Sequence, residues 1–216
     1  MKRGCQWPLS TPGSRISRGS TTQDQGGLLA QGVCEIAQVL GGHAQVLEHY
    51  LEVEIDEVME KGIRILSVGR LDRLPPSTRE AVEKAVALTR DNREMTLVFA
   101  LSYGGRAEIV DAARKLMRDA EMGKIAPEDL DEKSFAAYLY APEVPDPDLL
   151  IRTGAESRVS NFLLWQIAYS ELFITDVMWP DFRKGNLVEA IVDYQQRERR
   201  FGMTSEQVRG GQRGAG

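Results

Sequence analysis

Cysteine and histidine are scarce, with two of each in 216 residues. Cys5 and Cys34 lack the paired spacing of metal ligands and do not make a disulfide framework. His43 and His49 have no serine or cysteine partner at a recognisable spacing, so a hydrolase triad has no support. Long hydrophobic runs are missing as well: nothing approaches the ~18–20 apolar residues of a membrane span. No such stretch comes after the basic start "MKRG" either, so no secretory leader is read and a cytoplasmic protein is expected. An excess of basic residues is also absent. The chain carries 27 Lys and Arg against 32 Asp and Glu, a net charge of −5, which argues against general nucleic-acid binding because phosphate-backbone affinity comes from accumulated cations. An anion bound here must be held by a local cluster.

Charge is also unevenly spread. Residues 1–45 hold 8 of the 20 glycines, both cysteines and six charged residues (Lys2, Arg3, Arg15, Arg18, Asp24, Glu35), with little period beyond "GVCEIAQVL". Such a Gly/Ser/Gln-rich segment buries little and is expected to be poorly ordered. A regular domain is expected over 46–203, with a flexible tail over 204–216.

Within that domain, helical and strand patterns alternate. "VLEHYLEVEIDEVMEKG" places Leu47, Tyr50, Leu51, Ile55, Val58 and Met59 near one helical face, and Gly62 stops it. "IRILSVG" reads as a buried strand. "PPSTREAVEKAVALTRDN" predicts a helix opened by a Ser77–Glu80 capping box. "MTLVFALSY" is the next strand, "GGRAEIVDAARKLMRDAEMG" a turn into a helix, and "EKSFAAYLY" a short helix. The strand "DLLIRT", the helix "NFLLWQIAYSE", the strand "LFITDVMW" and the helix "NLVEAIVDYQQRERR" complete the series. Strands separated by helices imply right-handed crossovers, hence an α/β fold with a mostly parallel sheet flanked by helices on both faces.

Ligands of such sheets bind beyond the carboxyl ends of the strands. Those ends are Gly69–Asp72, Tyr103–Arg106, Arg152–Ser160 and Trp179–Asp181. The third, inside "IRTGAESRVSN", carries the most chemistry. Arg152 and Arg158 bracket a turn ending in Ser160 and Asn161, either of which can cap the helix beginning near Phe162. Arginine forks beside unpaired helix N–H groups suit phosphate oxygens, and a diphosphate is the natural guest. The plainer alternative pairs Arg152 with Asp148 or Glu156 and leaves Arg158 solvated. "YGGR", Tyr103–Arg106, reads as a tight turn. Glu171 closes an apolar helix, where a carboxylate faces solvent or serves a hard cation together with phosphates and a further acidic ligand.

These residues resemble a cis-prenyltransferase of the undecaprenyl diphosphate synthase type. The resemblance runs from about Leu47 to Gly202. It is densest in "DLLIRTGAESRVSNFLLWQIAYSELFITDVMWPDF" (148–182) and recurs in "RERRFG" (197–202), "GRLDRLP" and "YGGRAEIVDAAR". It implies an enzyme that joins isopentenyl diphosphate to an allylic diphosphate, with farnesyl diphosphate the expected partner, using Mg²⁺ and forming cis double bonds. By the same resemblance Arg152, Arg158, Val159 and Ser160 hold the isopentenyl diphosphate, and Glu171 is the metal-associated glutamate. Arg200 and Gly202 reach the site across a dimer interface. Contact with a membrane would be peripheral, through the product.

The sequence also departs from that pattern. Related enzymes carry an Asp-Gly-Asn-Gly-Arg-Trp loop, whose aspartate binds the metal, and a later Phe-Ser-x-Glu-Asn-Trp-x-Arg-Pro segment. Neither occurs between Met1 and Val46, where the only aspartate is Asp24. The fold is therefore expected to lack its first strands, which exposes the unpaired backbone of a central strand unless something else covers it, and the chain is expected to turn over little. Ser102 stands where relatives often have Asn, and Ala155 where they often have a second Gly. Two functions are then open: a polyprenyl diphosphate synthase acting as a homodimer, or a non-catalytic subunit pairing with an active homologue. Ser160 and Glu171 are eleven residues apart, so one continuous helix would separate them by roughly 16 Å. Glu171 would then have to enter through a helix break or serve a partner's site.

Overall fold

A computed structural model describes residues 31–34, as backbone, and 44–197. Its first element, β1 (Gln31–Cys34), falls at the edge of the run "GVCEIAQVL". Helices α1 (Ala44–Val53) and α2 (Ile55–Glu60) come next. The sequence pattern predicts one helix here. The chain bends at Glu54 while the bonds from Glu54 N to Tyr50 O and from Val58 N to Glu54 O persist at 2.9 and 3.0 Å.

Strand β2 (Ile63–Gly69) leads to α3 (Pro76–Thr89), then β3 (Met95–Leu101) and α4 (Gly105–Glu121). The predicted capping box on α3 does not form. Pro76, with its fixed φ, takes the first helical position, where its missing N–H costs nothing. Ser77 therefore lies inside the helix and donates instead to Glu48 Oε1 at 2.9 Å. The short helix α5 (Glu132–Ala136) has a capping box of its own, between Asp131 and Ser134. Strands β4 (Leu149–Arg152) and β5 (Glu171–Ile174) and helix α6 (Lys184–Gln196) end the described chain.

Every strand pairing is parallel, in the orders β1-β3-β2 and β4-β5. The α/β class with helices on both faces holds. At β3 the pairing is two-sided: it is hydrogen-bonded to β2 over its length and to β1 over Thr96–Phe99, so β1 covers that edge. Two groups on the outer edge of β2 are also satisfied. Thr89 Oγ1 accepts the Ile65 N–H at 2.9 Å, and Asn92 Nδ2 donates to Ile63 O at 2.8 Å. Polar backbone at a sheet edge must find such partners or invite pairing with another chain.

Strand alternation sorts side chains into two clusters. Ile65, Phe99 and Leu101 face Leu47, Leu51, Val82 and Ala85 of the α1–α3 layer. Leu66, Val68, Val98 and Ala100 face the other way, against Leu150, Phe162, Leu163 and Tyr140. Because the side-chain period of a strand is two, one sheet supplies both cores. Gly69 ends β2 at φ +113°, where a Cβ would stand 2.1 Å from Leu101 O, so only glycine fits that approach.

Among the described residues no helix is long and apolar enough to cross a membrane.

Candidate functional site

The helix predicted over 161–171 is absent. After β4 the chain runs through turns from Gly154 to Tyr169, with positive φ at Gly154, Ala155, Ser160, Asn161 and Leu163. Burial is achieved by turns instead: Phe162 and Leu163, neighbours in sequence, are both buried in the second cluster. Ser160 and Asn161 therefore cap no helix of their own, and this turn offers no helix dipole.

Each end of the turn is held elsewhere. The parallel ladder continues past Arg152, whose carbonyl accepts from Thr175 N at 2.9 Å. Gly154 N and Ala155 N donate to Val177 O and Thr175 O, both at 2.9 Å. At the far end Asn161 O accepts from Gly105 N at 2.7 Å, and Asn161 Oδ1 accepts from Arg106 N at 2.9 Å. Asn161 thus caps α4, whose own N-cap, Gly104, has no side chain to do so.

Arg152, Arg158, Val159 and Ser160 are brought to the carboxyl end of β4, as the sequence predicts for a strand-end turn. Arg158 is exposed and its Nε lies 2.8 Å from Glu156 Oε2. Of the ion pairs weighed from sequence alone, Glu156 has gone to Arg158. With both partners in solvent such a pair is worth little, about 0–1 kcal/mol, and exchanges readily for a stronger anion. Val159 is half-buried against the second cluster, and Ser160 is exposed.

Glu171 is not brought to this turn. It begins β5, opposite Leu149, whereas Arg152 lies opposite Ile174. Three residues of strand separate the two levels by about 10 Å, so Glu171 stands at the amino end of the β4-β5 pair. The spacing expected from a continuous helix falls with that helix. Arg197 holds the Glu171 carboxylate at 2.9 Å and also engages Leu172 O and Asp193. Among the described residues no three His, Cys, Asp or Glu side chains gather to hold a metal ion. One carboxylate already held by a guanidinium is a poor fit to a divalent cation, which wants several oxygens. Arg200 and Gly202 lie outside the described residues, as do Asp24 and His43. His49 is exposed on α1, edge-on to Tyr50.

A polar network that sequence reasoning missed lies behind the turn. Glu108, 1% exposed, accepts from Tyr140 N at 2.9 Å, from Gln166 Nε2 at 3.1 Å and from the Tyr103 hydroxyl. Burial, and next the hydrogen bond to Glu108, push the Tyr103 hydroxyl well above its ordinary range. Beside it Arg70 grips Asp111 in a two-pronged contact of 3.1 and 3.0 Å, and the Tyr140 hydroxyl adds a bond of 2.6 Å. Arg70, and after it Tyr140, hold the Asp111 carboxyl below the usual carboxylate range. Tyr140 is raised to about 12, first by burial and then by Asp111. Arg70, one of the strand-end arginines, is thus engaged within the fold. Glycines at 104 and 105 were the one sequence signal of close approach here, since a Cβ on Gly105 would lie 2.9 Å from Leu164 Cγ.

In chemical terms the turn presents a guanidinium and a hydroxyl to solvent at a strand's carboxyl end, which suits phosphate oxygens. Comparison with known proteins gives the family. The family model described as putative undecaprenyl diphosphate synthase matches residues 35–202. An isoprenyl transferase of Heliobacterium mobile is 50% identical over 157 residues, covering 73% of this chain and 60% of the relative. A tritrans,polycis-undecaprenyl-diphosphate synthase (geranylgeranyl-diphosphate specific) of Thermococcus kodakarensis is 51% identical over 156 residues, 72% of this chain and 59% of the relative. Among solved structures, lavandulyl diphosphate synthase from Lavandula x intermedia, in complex with dimethylallyl diphosphate, superposes with a TM-score of 0.71 at 36% identity, over 74% of this chain and 69% of that one. A probable undecaprenyl diphosphate synthase from Campylobacter jejuni gives 0.64 at 30% identity, over 73% and 72%. The chain spans about 60% of the length of the curated relatives it matches. With its fold, its turn after β4 and these likenesses together, the chain belongs to the prenyltransferase family of undecaprenyl diphosphate synthase-like proteins.

Proposed function

We propose that this chain serves prenyl transfer between isopentenyl diphosphate and an allylic diphosphate such as farnesyl diphosphate, and that the turn after β4 is its diphosphate grip. Arg152, Arg158, Val159 and Ser160 form the grip, with Arg200 and Gly202 contributed by the tail of a second subunit. The observation that carries this reading is the turn itself, with exposed Arg158 and Ser160 held at both ends beyond a parallel strand. Fixing a diphosphate orients the attached double bond for attack, and cations on a departing diphosphate stabilise the charge that develops. Magnesium is the ion the family resemblance implies. Glu171 alone does not make its cage, so no step is assigned to a metal, and any such site is completed by groups outside the described residues.

A second reading, a subunit that supports an active homologue, is favoured by the same Glu171, held by Arg197 and remote from the grip. In either case a dimer is proposed through β5, α6 and the segment between them, where Leu172, Ile174, Met178, Trp179, Leu187 and Val188 stand exposed. Large exposed apolar side chains are what such an interface would cover.

The test uses the full purified chain with farnesyl diphosphate, labelled isopentenyl diphosphate and Mg²⁺, alone and mixed with an active homologue. Elongation by the chain alone supports the synthase. Elongation increased only in the mixture supports the subunit, and binding of inorganic pyrophosphate lost in Arg158→Ala supports the grip in both. A chain that neither binds pyrophosphate nor alters the homologue's rate refutes both readings.

A further inference from the structure

We infer that Asn161 is a positioning residue of the diphosphate grip, acting by clamping the turn onto the start of α4. The inference rests on the reading of Arg158 and Ser160 as that grip. Ser160, Asn161 and Leu163 adopt φ of 48°, 63° and 44°. Side chains other than glycine rarely hold this conformation unless surrounding structure imposes it, and asparagine tolerates it best. The imposing contacts are specific. Asn161 accepts twice, through O and Oδ1, from the first two N–H groups of α4, at 2.7 and 2.9 Å. On the other side of the clamp Phe162 and Leu163 enter the second cluster and Gln166 reaches Glu108.

Two of the donors that open α4, Gly105 N and Arg106 N, are used by Asn161 and are not open to a diphosphate, so the grip rests mainly on the side chains of the turn. Ser160 is bonded covalently to the clamp and Arg158 lies two residues further, so their placement relative to the sheet is fixed before any ligand arrives. A turn released from the clamp would have to be ordered on binding, and ordering several residues weakens affinity by about tenfold or more.

Gly104 offers an independent way to disturb the same contact. A Cβ there would lie 2.7 Å from Asn161 Nδ2 and displace that side chain without altering the turn's own sequence or charge. The experiment compares the full chain with Asn161→Ala, Gly104→Ala and Val82→Ala. Val82 is 1% exposed in the first cluster and serves as a control for plain loss of stability. Inorganic pyrophosphate is titrated while the amide resonances of Arg158 and Ser160 are monitored.

Asn161→Ala and Gly104→Ala are expected to weaken pyrophosphate binding by about tenfold or more and to reduce the ligand-induced shifts at Arg158 and Ser160. Val82→Ala is expected to lower Tm and bind as the unsubstituted chain does. Unchanged affinity in either clamp variant overturns the inference. So does failure of both to fold while Val82→Ala folds, since the contact would then be structural. If the unsubstituted chain binds no pyrophosphate, the proposed grip itself falls and the inference falls with it. Normal binding with insensitive clamp variants removes only the inference.

Discussion

Strands β3 and β4 each sit in parallel pairs, and the segments that leave them meet where Gly105 and Arg106 bond Asn161, yet those connections differ. After β3 the chain enters α4, seventeen residues with one buried side that includes Glu108 and Ala112. After β4 it enters sixteen residues of turns, Gly154–Tyr169, with positive φ at five of them. The first connection is stabilised largely by its own helix ladder. The second is held by groups outside it: Thr175 and Val177 at one end, Gly105 and Arg106 at the other, and Glu108 beneath. A segment that organises itself makes a scaffold. A segment organised by its neighbours can hold side chains in a geometry that local preference would not choose, which is useful for gripping a ligand.

The largest test of this contrast compares Phe162→Ala with Leu101→Ala. Both side chains are buried, at 4% and 1%, in the second and first clusters respectively. Each truncation is expected to cost about 3 kcal/mol, read from urea denaturation. If the turn region is held by the scaffold, Phe162→Ala also raises hydrogen exchange at residues 154–169 well above that of α3, whereas Leu101→Ala speeds exchange throughout. Identical exchange patterns would remove the distinction between the two regions.

A smaller effect is expected from pH. Asp111, with its side chain 22% exposed, has its carboxyl depressed in the folded state by Arg70 and then Tyr140. A depressed carboxyl contributes stability that is complete above its unfolded value, about 3.9, and is lost as pH falls through the folded one. Denaturation midpoints should therefore decline below about pH 4, and Asp111→Asn should remove part of that decline at a cost of about 1–2 kcal/mol at neutral pH. A variant whose profile parallels the unsubstituted chain would show that the Arg70–Asp111–Tyr140 cluster does not brace the strand ends.

The smallest predicted effects are gains. Ser102 at φ 47° and Ala155 at φ 56° occupy left-handed positions, which asparagine and glycine adopt more readily. Ala155→Gly and Ser102→Asn are each expected to stabilise by about 0.5–1 kcal/mol, the cost of the left-handed conformation less glycine's added chain entropy in the first case. A fall in Tm for both would show that the backbone relaxes elsewhere.

Much of the scaffold was legible in the sequence. "IRILSVG" coincides with β2, and β3, α4 and α5 fall inside the predicted runs, because an alternating or stripe pattern and a nearby cap are local signals. Two local signals misled. Ser77–Glu80 has the form of a capping box, but Pro76 starts the helix two residues earlier than that box would. "NFLLWQIAYSE" has helix-forming content, but the fold takes it as turns that put the adjacent Phe162 and Leu163 into one cluster and leave Tyr169 exposed. At the proposed grip, the positions of Arg152, Arg158 and Ser160 after a strand were visible in the sequence. The clamp by Asn161 was not, because its partners at 105 and 106 are 55 or more residues away, and neither was the retreat of Glu171 to the amino end of β5.

The sequence by itself determined the α/β alternation, the family and the identity of the strand-end turn that bears the arginines, since each is written in short-range pattern or in contiguous motif. Only the tertiary structure decided that β1 completes the pairing of β3, that Arg70 is spent on Asp111, and that Asn161 fastens the turn to α4. Those are contacts between segments far apart in the chain, and their free energy comes from burying and pairing groups that no local window contains together.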